Sequence, residues 1–305
     1  MIDNKKILED IHNNLYLKDP SYTINIFLCG KKTSDKSSLR GLLYASMKEN
    51  PKFNVVFPEW IFSSLDSEKY NLLHLEKELG SYVDAIVLPL EGLGTFAELG
   101  MFAQNNNLVD KLLIINDFKF KKEKSFINLG PIGLVKSKKP SNIKYFESKD
   151  DKIIDPEDFK KYIINTLLRF PKTSEASKSN IQNIFNLSRF LLFVIGIYQP
   201  ITQLELISVL NEYGAGNEIP EHLVSASLQI LINQENIMHK LIGSKYFFVL
   251  SENGHTFVFE QFLPKLGIVK SFSRMRAEIF GKKDRSKYKF KIEIGVKKFL
   301  DYIVT

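Results

Sequence analysis

The chain is poor in cysteine and has no long apolar run, and both absences limit what it does. Its 305 residues include one cysteine, Cys29, so no disulfide forms within the chain, and such usage is typical of a reducing compartment. The most apolar segment, Phe190 to Tyr198, is too short to span a bilayer. The charged amino terminus lacks the apolar stretch of a signal peptide. We therefore predict a cytoplasmic protein that does not act at a membrane.

Motifs for metal binding and for serine nucleophiles are also missing. The five histidines show no metal-ligand spacing with Cys29 or with each other. No Ser-His-Asp order and no phosphate loop of the Gly-Lys-Thr kind occurs. We predict no metal and no bound cofactor.

Positive charge is concentrated at one end of the chain. The formal net charge is +7, and residues 265–305 carry twelve lysine and arginine residues against four acidic residues. This basic end predicts a polyanionic partner, most simply nucleic acid, and a solvated lysine-rich face is the alternative. Basic and aromatic residues alternate here, which suits binding of a single strand or RNA. The predicted nucleic-acid or partner contacts are Lys282, Lys283, Arg285, Lys287 and Lys289.

Strand and helix signals alternate along the first part of the chain. Apolar runs such as Ile24 to Cys29 and Val83 to Leu88 are each followed by a helical pattern. Repeated strand–helix units predict an α/β fold with a doubly wound, flavodoxin- or Rossmann-like parallel sheet. We assign residues 1–169 to this catalytic domain, 170–179 to a linker, 180–263 to a second domain and 264–305 to a basic extension.

The second domain shows a different pattern, with three helices followed by a β-hairpin. That order is typical of an α+β winged helix-turn-helix domain. The candidate recognition helix carries Glu221 and no Arg or Lys, whereas DNA-reading helices normally present basic or amide side chains. We favour a winged fold used for protein contact or shape recognition over sequence-specific DNA reading.

The segment from Leu88 to Gly100 is the most informative about function. It leaves a predicted strand, passes Gly92 and Gly94, and enters a predicted helix at Thr95 with Glu98 in its first turn. Thr95 and Glu98 fit a helix capping box. The glycines allow a ligand to approach the backbone, and helix N–H groups attract anions. Because ligands bind at the carboxyl ends of parallel strands, we favour a nucleotide or sugar site here.

The same residues resemble a known family. Gly94-Thr95-Phe96-Ala97-Glu98-Leu99-Gly100 is similar to the G-T-x-x-E-x-G signature of nucleoside 2-deoxyribosyltransferase-like proteins, and Gly92 to Glu98 is also similar to the motif of LOG-type phosphoribohydrolases. Ile26 to Gly30, Tyr82 to Ile86 and Ser125 to Gly130 resemble further segments of the first family. Both families act on N-glycosidic bonds.

The resemblance implies roles for individual residues. Glu98 matches the catalytic carboxylate, and Glu76 stands where a family acid handles the base, although a solvent-facing glutamate is equally compatible with its position. Asn128 matches an asparagine contributed by a neighbouring subunit, which implies a homo-oligomer. The transferases usually have an Asp where this chain has Gly92, so the departure disfavours deoxyribosyl transfer. The implied substrate-binding residues are Phe27, Cys29, Gly30, Asp84, Gly92, Gly94, Thr95 and Asn128.

The order of the two domains resembles the effectors of bacterial retron defence systems. This implies a toxic N-glycosidase restrained by a reverse transcriptase and its multicopy RNA–DNA hybrid. A helix amino terminus is expected to lower the pKa of Glu98 and keep it anionic. Nicotinamide leaves NAD as a neutral molecule without an acid, so one carboxylate favours NAD as the substrate. The alternative is a nucleotide-sensing module coupled to a winged-helix DNA-binding regulator.

Overall fold

The computed structural model describes residues 3–19, 23–31, 38–62, 71–149, 152–170, 180–213 and 218–282. Contacts divide the chain into two compact units, one spanning Ser21–Ser177 and the other made of Met1–Pro20 and Lys178–Thr305. The first helix, α1 (Asn4–Ile11), therefore belongs to the second unit. This grouping differs from the predicted boundaries, which placed residues 1–20 in the first domain.

The first unit is built on a five-stranded parallel sheet, so the predicted α/β class with a parallel sheet is confirmed. The strands lie in the order β2-β1-β3-β4-β5. Every residue of β3 is buried, as expected for a strand covered on both faces. The strands are β1 (Ile24–Leu28), β2 (Phe53–Val56), β3 (Ala85–Pro89), β4 (Leu112–Asp117) and β5 (Ile143–Phe146).

Helices connect these strands and bury their two faces. Ile26 and Leu28 share a core cluster with Leu43 of α2 and Ile163 of α8. On the opposite face, Ile86 lies beside the backbone of α4 at Gly80. The helices of this unit are α2 (Leu39–Met47), α3 (Pro58–Phe62), α4 (Leu72–Tyr82), α5 (Leu93–Ala103), α6 (Phe126–Leu129), α7 (Pro131–Lys138) and α8 (Pro156–Leu167). A short antiparallel pair, β6 (Ser148–Lys149) and β7 (Lys152–Ile153), precedes α8.

The second unit contains the predicted helices and hairpin. A short strand, β8, pairs with the second hairpin strand, which gives an antiparallel sheet in the order β8-β10-β9. The element order is the one predicted, and the winged-helix assignment itself stays a prediction. The elements are α9 (Ile184–Tyr198), β8 (Ile201–Thr202), α10 (Gln203–Tyr213), α11 (Glu221–Asn233), β9 (Ile237–Ile242), β10 (Lys245–Leu250), α12 (Glu252–His255), α13 (Leu263–Leu266) and α14 (Val269–Lys282).

Helix α1 contributes to the core of this second unit. Its apolar residues recur at helical spacing and are buried together with Phe190 of α9. After α1 the chain forms a π-helical segment, His12–Tyr16, and Asp19 then receives a hydrogen bond of 2.6 Å from Arg189 Nε. The sequence pattern did not predict α1, because its apolar repeat covers only about two turns.

Two predicted segments fall largely outside the described residues. Of the linker at 170–179, only Phe170 is described, and it is buried. The basic extension is described as far as Lys282, where α14 ends. Within the described ranges, no helix is long and apolar enough to cross a membrane.

Candidate active site

The candidate site lies at the carboxyl ends of the central strands. The chain passes from β1 to β2 on one side and then returns to β3 on the other side of β1. In open α/β sheets, such a reversal of strand order opens a crevice in which ligands bind. Cys29 and Gly30 follow β1, and Leu90 to Gly92 follow β3, so both segments border this crevice.

Helix α5 delivers Glu98 to the crevice, although the helix starts earlier than predicted. It begins at Leu93, and Gly92 is its N-cap. The Thr95 hydroxyl donates to the Gly92 carbonyl at 2.7 Å and accepts from the Gly92 N–H at 3.4 Å. Glu98 therefore lies in the second turn, and the predicted Thr95–Glu98 capping box is wrong. Gly94 lies in the first turn beside open space, since an added Cβ would meet no heavy atom within 4 Å.

The Glu98 carboxylate is partly buried against Cys29. The Cys29 thiol forms a side-chain hydrogen bond with Glu98, and the Cys29 N–H donates to the Val87 carbonyl at 3.0 Å, which fixes the thiol beside β3. The second oxygen, Glu98 Oε2, is buried and has no hydrogen-bond partner among the described residues. A buried oxygen without a partner is costly, so it is available to a ligand.

The expected low pKa of Glu98 is wrong. Burial raises the pKa above its ordinary value, although the hydrogen bond from Cys29 and the charge of Arg40 act in the opposite direction. The dipole of α5 does not prevent this, because its effect is confined to the first turn and Glu98 lies in the second. Burial and the nearby carboxylates also raise the pKa of the Cys29 thiol, which keeps it protonated as a donor.

Two further carboxylates interact electrostatically with Glu98. Glu76 on α4 is partly buried, and burial together with the charges of Glu98 and Glu59 raises its pKa to about 7. Glu59 follows β2 at the start of α3 and also repels Glu98. Three acids from three helices thus share one end of the sheet, and one of them titrates near neutral pH. Perturbed carboxylates in a crevice are typical of functional sites.

Arg40 is the buried cation that balances these acids. It is 2% exposed, and its Nη2 donates to Glu59 at 2.7 Å. Nη1 donates to the carbonyls of Gly30 and Lys31 at 3.1 and 2.9 Å, and the guanidinium lies 4.2 Å from the centre of the Phe57 ring. Gly30 has φ +139°, and a Cβ there would lie 2.7 Å from Arg40 Cβ. Only glycine fits at this approach.

Glu91 closes the loop between β3 and α5 onto the start of α2. One carboxylate oxygen accepts the N–H of Leu39 at 2.8 Å. The other accepts the N–H groups of Arg40 and Lys31 at 3.1 and 3.4 Å. The carboxylate therefore joins the end of β1 to the first turn of α2 and fixes the backbone of Arg40.

Not every predicted site residue lies with Glu98. Phe27 is fully buried on β1, two residues before Cys29 and on the same face. Asp84 precedes β3 and lies at the opposite end of that strand, so the structure does not bring it to the crevice. The Asn128 side chain donates to the Phe120 and Glu123 carbonyls of its own loop, at 2.7 and 2.8 Å.

Asp84 has a structural role that accounts for its burial. It is 6% exposed, and its Oδ2 accepts the Asn25 N–H at 2.8 Å, which ties β3 to the start of β1. Because a side-chain amide is a weaker acceptor than a carboxylate, Asp84→Asn should lower the free energy of unfolding by about 1–3 kcal/mol. Denaturant titration measures this change. The affinity for a ligand bound at Glu98 should stay within about twofold of wild type. A larger loss of affinity would show that Asp84 contributes to the site.

The predicted basic contacts lie outside the described residues, with one exception. Lys282 is the last residue of α14, and the positions from Lys283 to Lys289 are not described. The sequence pattern did not indicate Arg40, Glu59 or Glu91 as site residues. Glu59 lies three residues after Val56, the last residue of β2, and this position near the end of a strand was the available signal for it. Arg40 lies in an ordinary helical pattern that gives no such signal.

The fold and the site together define a class of protein. It is an α/β protein with a cluster of carboxylates at the strand-order reversal of a parallel sheet. The profile of the family described as STM3845 retron effector protein matches residues 36–239. That match covers more than half of the chain and includes both Glu76 and Glu98. The chain belongs to this family of retron effectors.

Two relatives from Escherichia coli support the family assignment. The chain is 28% identical over 306 residues to the Retron Ec86 putative ribosyltransferase/DNA-binding protein, across 94% of this chain and 96% of that protein. It is 40% identical over 114 residues to the Retron Ec73 putative ribosyltransferase/DNA-binding protein, across 35% of this chain and 36% of that protein. The first relative therefore covers both units. The resemblance to retron effectors predicted from the sequence is confirmed.

Proposed function

We propose that the chain is a toxic N-glycosidase that cleaves the N-glycosidic bond of NAD or a related nucleotide. The single observation that carries this proposal is Oε2 of Glu98 at the strand-order reversal, which is buried and has no hydrogen-bond partner within the described ranges. A carboxylate beneath an anomeric carbon stabilises an oxocarbenium-like transition state or bonds to that carbon. The name ribosyltransferase, carried by both relatives, supports chemistry at a ribosyl group.

The charge of the cluster favours a cationic leaving group. Among the described residues, Glu59 and Glu98 interact with one buried cation, Arg40, whose Nη atoms are already engaged by Glu59 and two carbonyls. Glu76 adds a third acid, whose pKa is raised by the charges of Glu98 and Glu59. The nicotinamide ring of NAD is positively charged while it is attached to ribose, so acidic surroundings favour its binding. The acidic cluster therefore favours NAD over a nucleoside with a neutral base.

The reaction follows from these groups. The bond between C1′ and the ring nitrogen breaks, and its electron pair neutralises the nicotinamide. Ionised Glu98 stabilises the positive charge that develops on the sugar. Water then adds to C1′ and releases one proton, which gives nicotinamide and ADP-ribose. Glu76, with a pKa of about 7, is suited to accept that proton near neutral pH.

Family membership supports the proposed partners. We propose that a retron reverse transcriptase and its RNA–DNA hybrid restrain the enzyme, that the basic extension contacts nucleic acid, and that the chain forms a homo-oligomer. A nucleotide-sensing module coupled to a DNA-binding winged helix is the second candidate. The hairpin of β9 and β10, which follows α9, α10 and α11 and pairs with β8, favours it. The name DNA-binding of both relatives favours it as well.

Metabolite analysis of cells that express the chain without retron partners tests the proposal. We expect NAD to fall while nicotinamide and ADP-ribose rise together, because each cleavage produces one of each. Purified chain incubated with NAD should give the same two products. Tight NAD binding measured by calorimetry, with no product formed and no change in cellular NAD, would instead favour the sensing module.

A further inference from the structure

The amino end of α2 lies beside the crevice, where a phosphate group would ordinarily be expected. Helix amino termini bind anions because their first N–H groups lack partners within the helix. Helix α2 follows β1 and begins at the strand-order reversal, next to the segment that carries Cys29 and Gly30. An enzyme that acts on a phosphorylated ribosyl group would have a suitable anion site here.

In this chain, side chains of the protein satisfy the first N–H groups of α2. Glu91 accepts from Leu39 and Arg40, and the Ser38 hydroxyl accepts from Gly41 at 3.0 Å. The next N–H, from Leu42, donates to the Ser38 carbonyl at 3.0 Å and begins the regular helical pattern. The carboxylate of Glu91 thus stands where the oxygens of a phosphate would stand.

We infer that Glu91 is a specificity-determining residue that excludes phosphate from the amino end of α2. Its negative charge repels an incoming anion, and its oxygens already hold the N–H groups that the anion needs. The 5′-phosphate of a ribosyl group next to Glu98, such as that of NAD, would then be directed away from this helix. The importance of this exclusion for catalysis rests on the proposed function. Whether Glu91 excludes phosphate is tested by binding alone, without turnover.

Inorganic phosphate is the first probe, used with the full chain. Glu91→Ala removes the carboxylate and leaves the Leu39 and Arg40 N–H groups free. We expect phosphate to raise the melting temperature of Glu91→Ala, with apparent binding about tenfold tighter than to wild type. Chloride at matched ionic strength is the reference salt. Glu49→Ala, which removes an exposed acid beyond the other end of α2, should behave like wild type.

A second probe compares two ligands that differ only in a phosphate group. In the Glu98→Gln chain, which is not expected to turn over, nicotinamide mononucleotide should bind no more tightly than nicotinamide riboside. Adding Glu91→Ala should make the mononucleotide bind about tenfold more tightly than the riboside. Glu91→Gln fills the same space and should change the ratio by less than about threefold.

Two results would overturn the inference. One is a folded Glu91→Ala chain that binds phosphate no more tightly than wild type does. The other is a Glu98→Gln chain that already prefers the mononucleotide tenfold. Failure of the proposed function has a different signature, namely no nicotinamide release, and leaves the phosphate measurement interpretable.

Discussion

Replacing Glu98 by glutamine is expected to lower the rate of nicotinamide release from NAD by about three orders of magnitude. The amide has nearly the same shape but carries no charge, so it neither stabilises an oxocarbenium-like state nor bonds to C1′. A thousandfold loss corresponds to about 4 kcal/mol of lost transition-state stabilisation. A discontinuous assay of nicotinamide with purified protein measures the effect.

The matched control is Glu49→Gln, an exposed glutamate whose side chain is 79% accessible. It should leave the rate unchanged. Glu98→Gln should melt at the same temperature as wild type or higher, because burial opposes the charge that is removed. Undiminished release from a folded Glu98→Gln chain would show that Glu98 only fills space beside Cys29.

Replacing Glu76 by glutamine is expected to raise the stability of the folded chain at alkaline pH and to change its activity. The pKa of Glu76 rises from 4.5 to about 7 in the folded chain. Below pH 4.5 the group is protonated whether the chain is folded or not, so it has no effect there. As pH rises from 4.5 to 7, the unfolded chain ionises first and the folded chain loses stability relative to it.

Above pH 7 Glu76 is ionised in both the folded and the unfolded chain, and the loss of stability reaches its full size. A shift of this size corresponds to about 3 kcal/mol, and the partial exposure of Glu76 reduces it to about 2 kcal/mol. Glu76→Gln removes the ionisation, so at pH 8 it should be more stable than wild type by about that amount, and at pH 4 equally stable. Urea titrations at the two pH values measure the difference. Equal stability at both would mean that Glu76 is solvated.

The same variant separates two classes of substrate. Nicotinamide leaves as a neutral molecule and needs no acid, so Glu76→Gln should lower NAD cleavage by less than about tenfold. A nucleoside with a neutral base needs protonation of the base, and its cleavage should fall by about a hundredfold. A hundredfold loss with NAD would contradict the role proposed for Glu76, which is only to accept the proton of the attacking water.

Local signals in the sequence predicted the sheet well. The predicted strand from Ile24 to Cys29 contains β1 (Ile24–Leu28), since a short apolar run between turn residues has few alternatives. The predicted start of α5, Thr95, is two residues later than the observed start, Leu93. Gly92 has no side chain with which to mark an N-cap, and Thr95 suggested a cap that is in fact inside the first turn.

The site was less predictable, because its electrostatics depend on residues far apart in the chain. The motif singled out Glu98, and a resemblance to known families implied the roles of Glu98 and Glu76. The structure places the two acids close enough for the charge of Glu98 to raise the pKa of Glu76. Glu91 and Arg40 lie 51 positions apart, and nothing local indicates that one caps the helix of the other. Burial decides the pKa of Glu98, and burial at that point is set by the packing of several elements.

The position of α1 in the second unit has a consequence for how the protein is made. Synthesis from the amino terminus produces a helix whose partners, such as Phe190, emerge only after the whole parallel-sheet unit. The sheet unit is one continuous stretch of the chain, and all its strands are present when its synthesis ends. It is therefore able to fold before the residues that pack against α1 have been synthesised. A fragment spanning 21–177 is therefore the natural one to express alone, whereas a fragment starting at residue 178 would lack part of its own core.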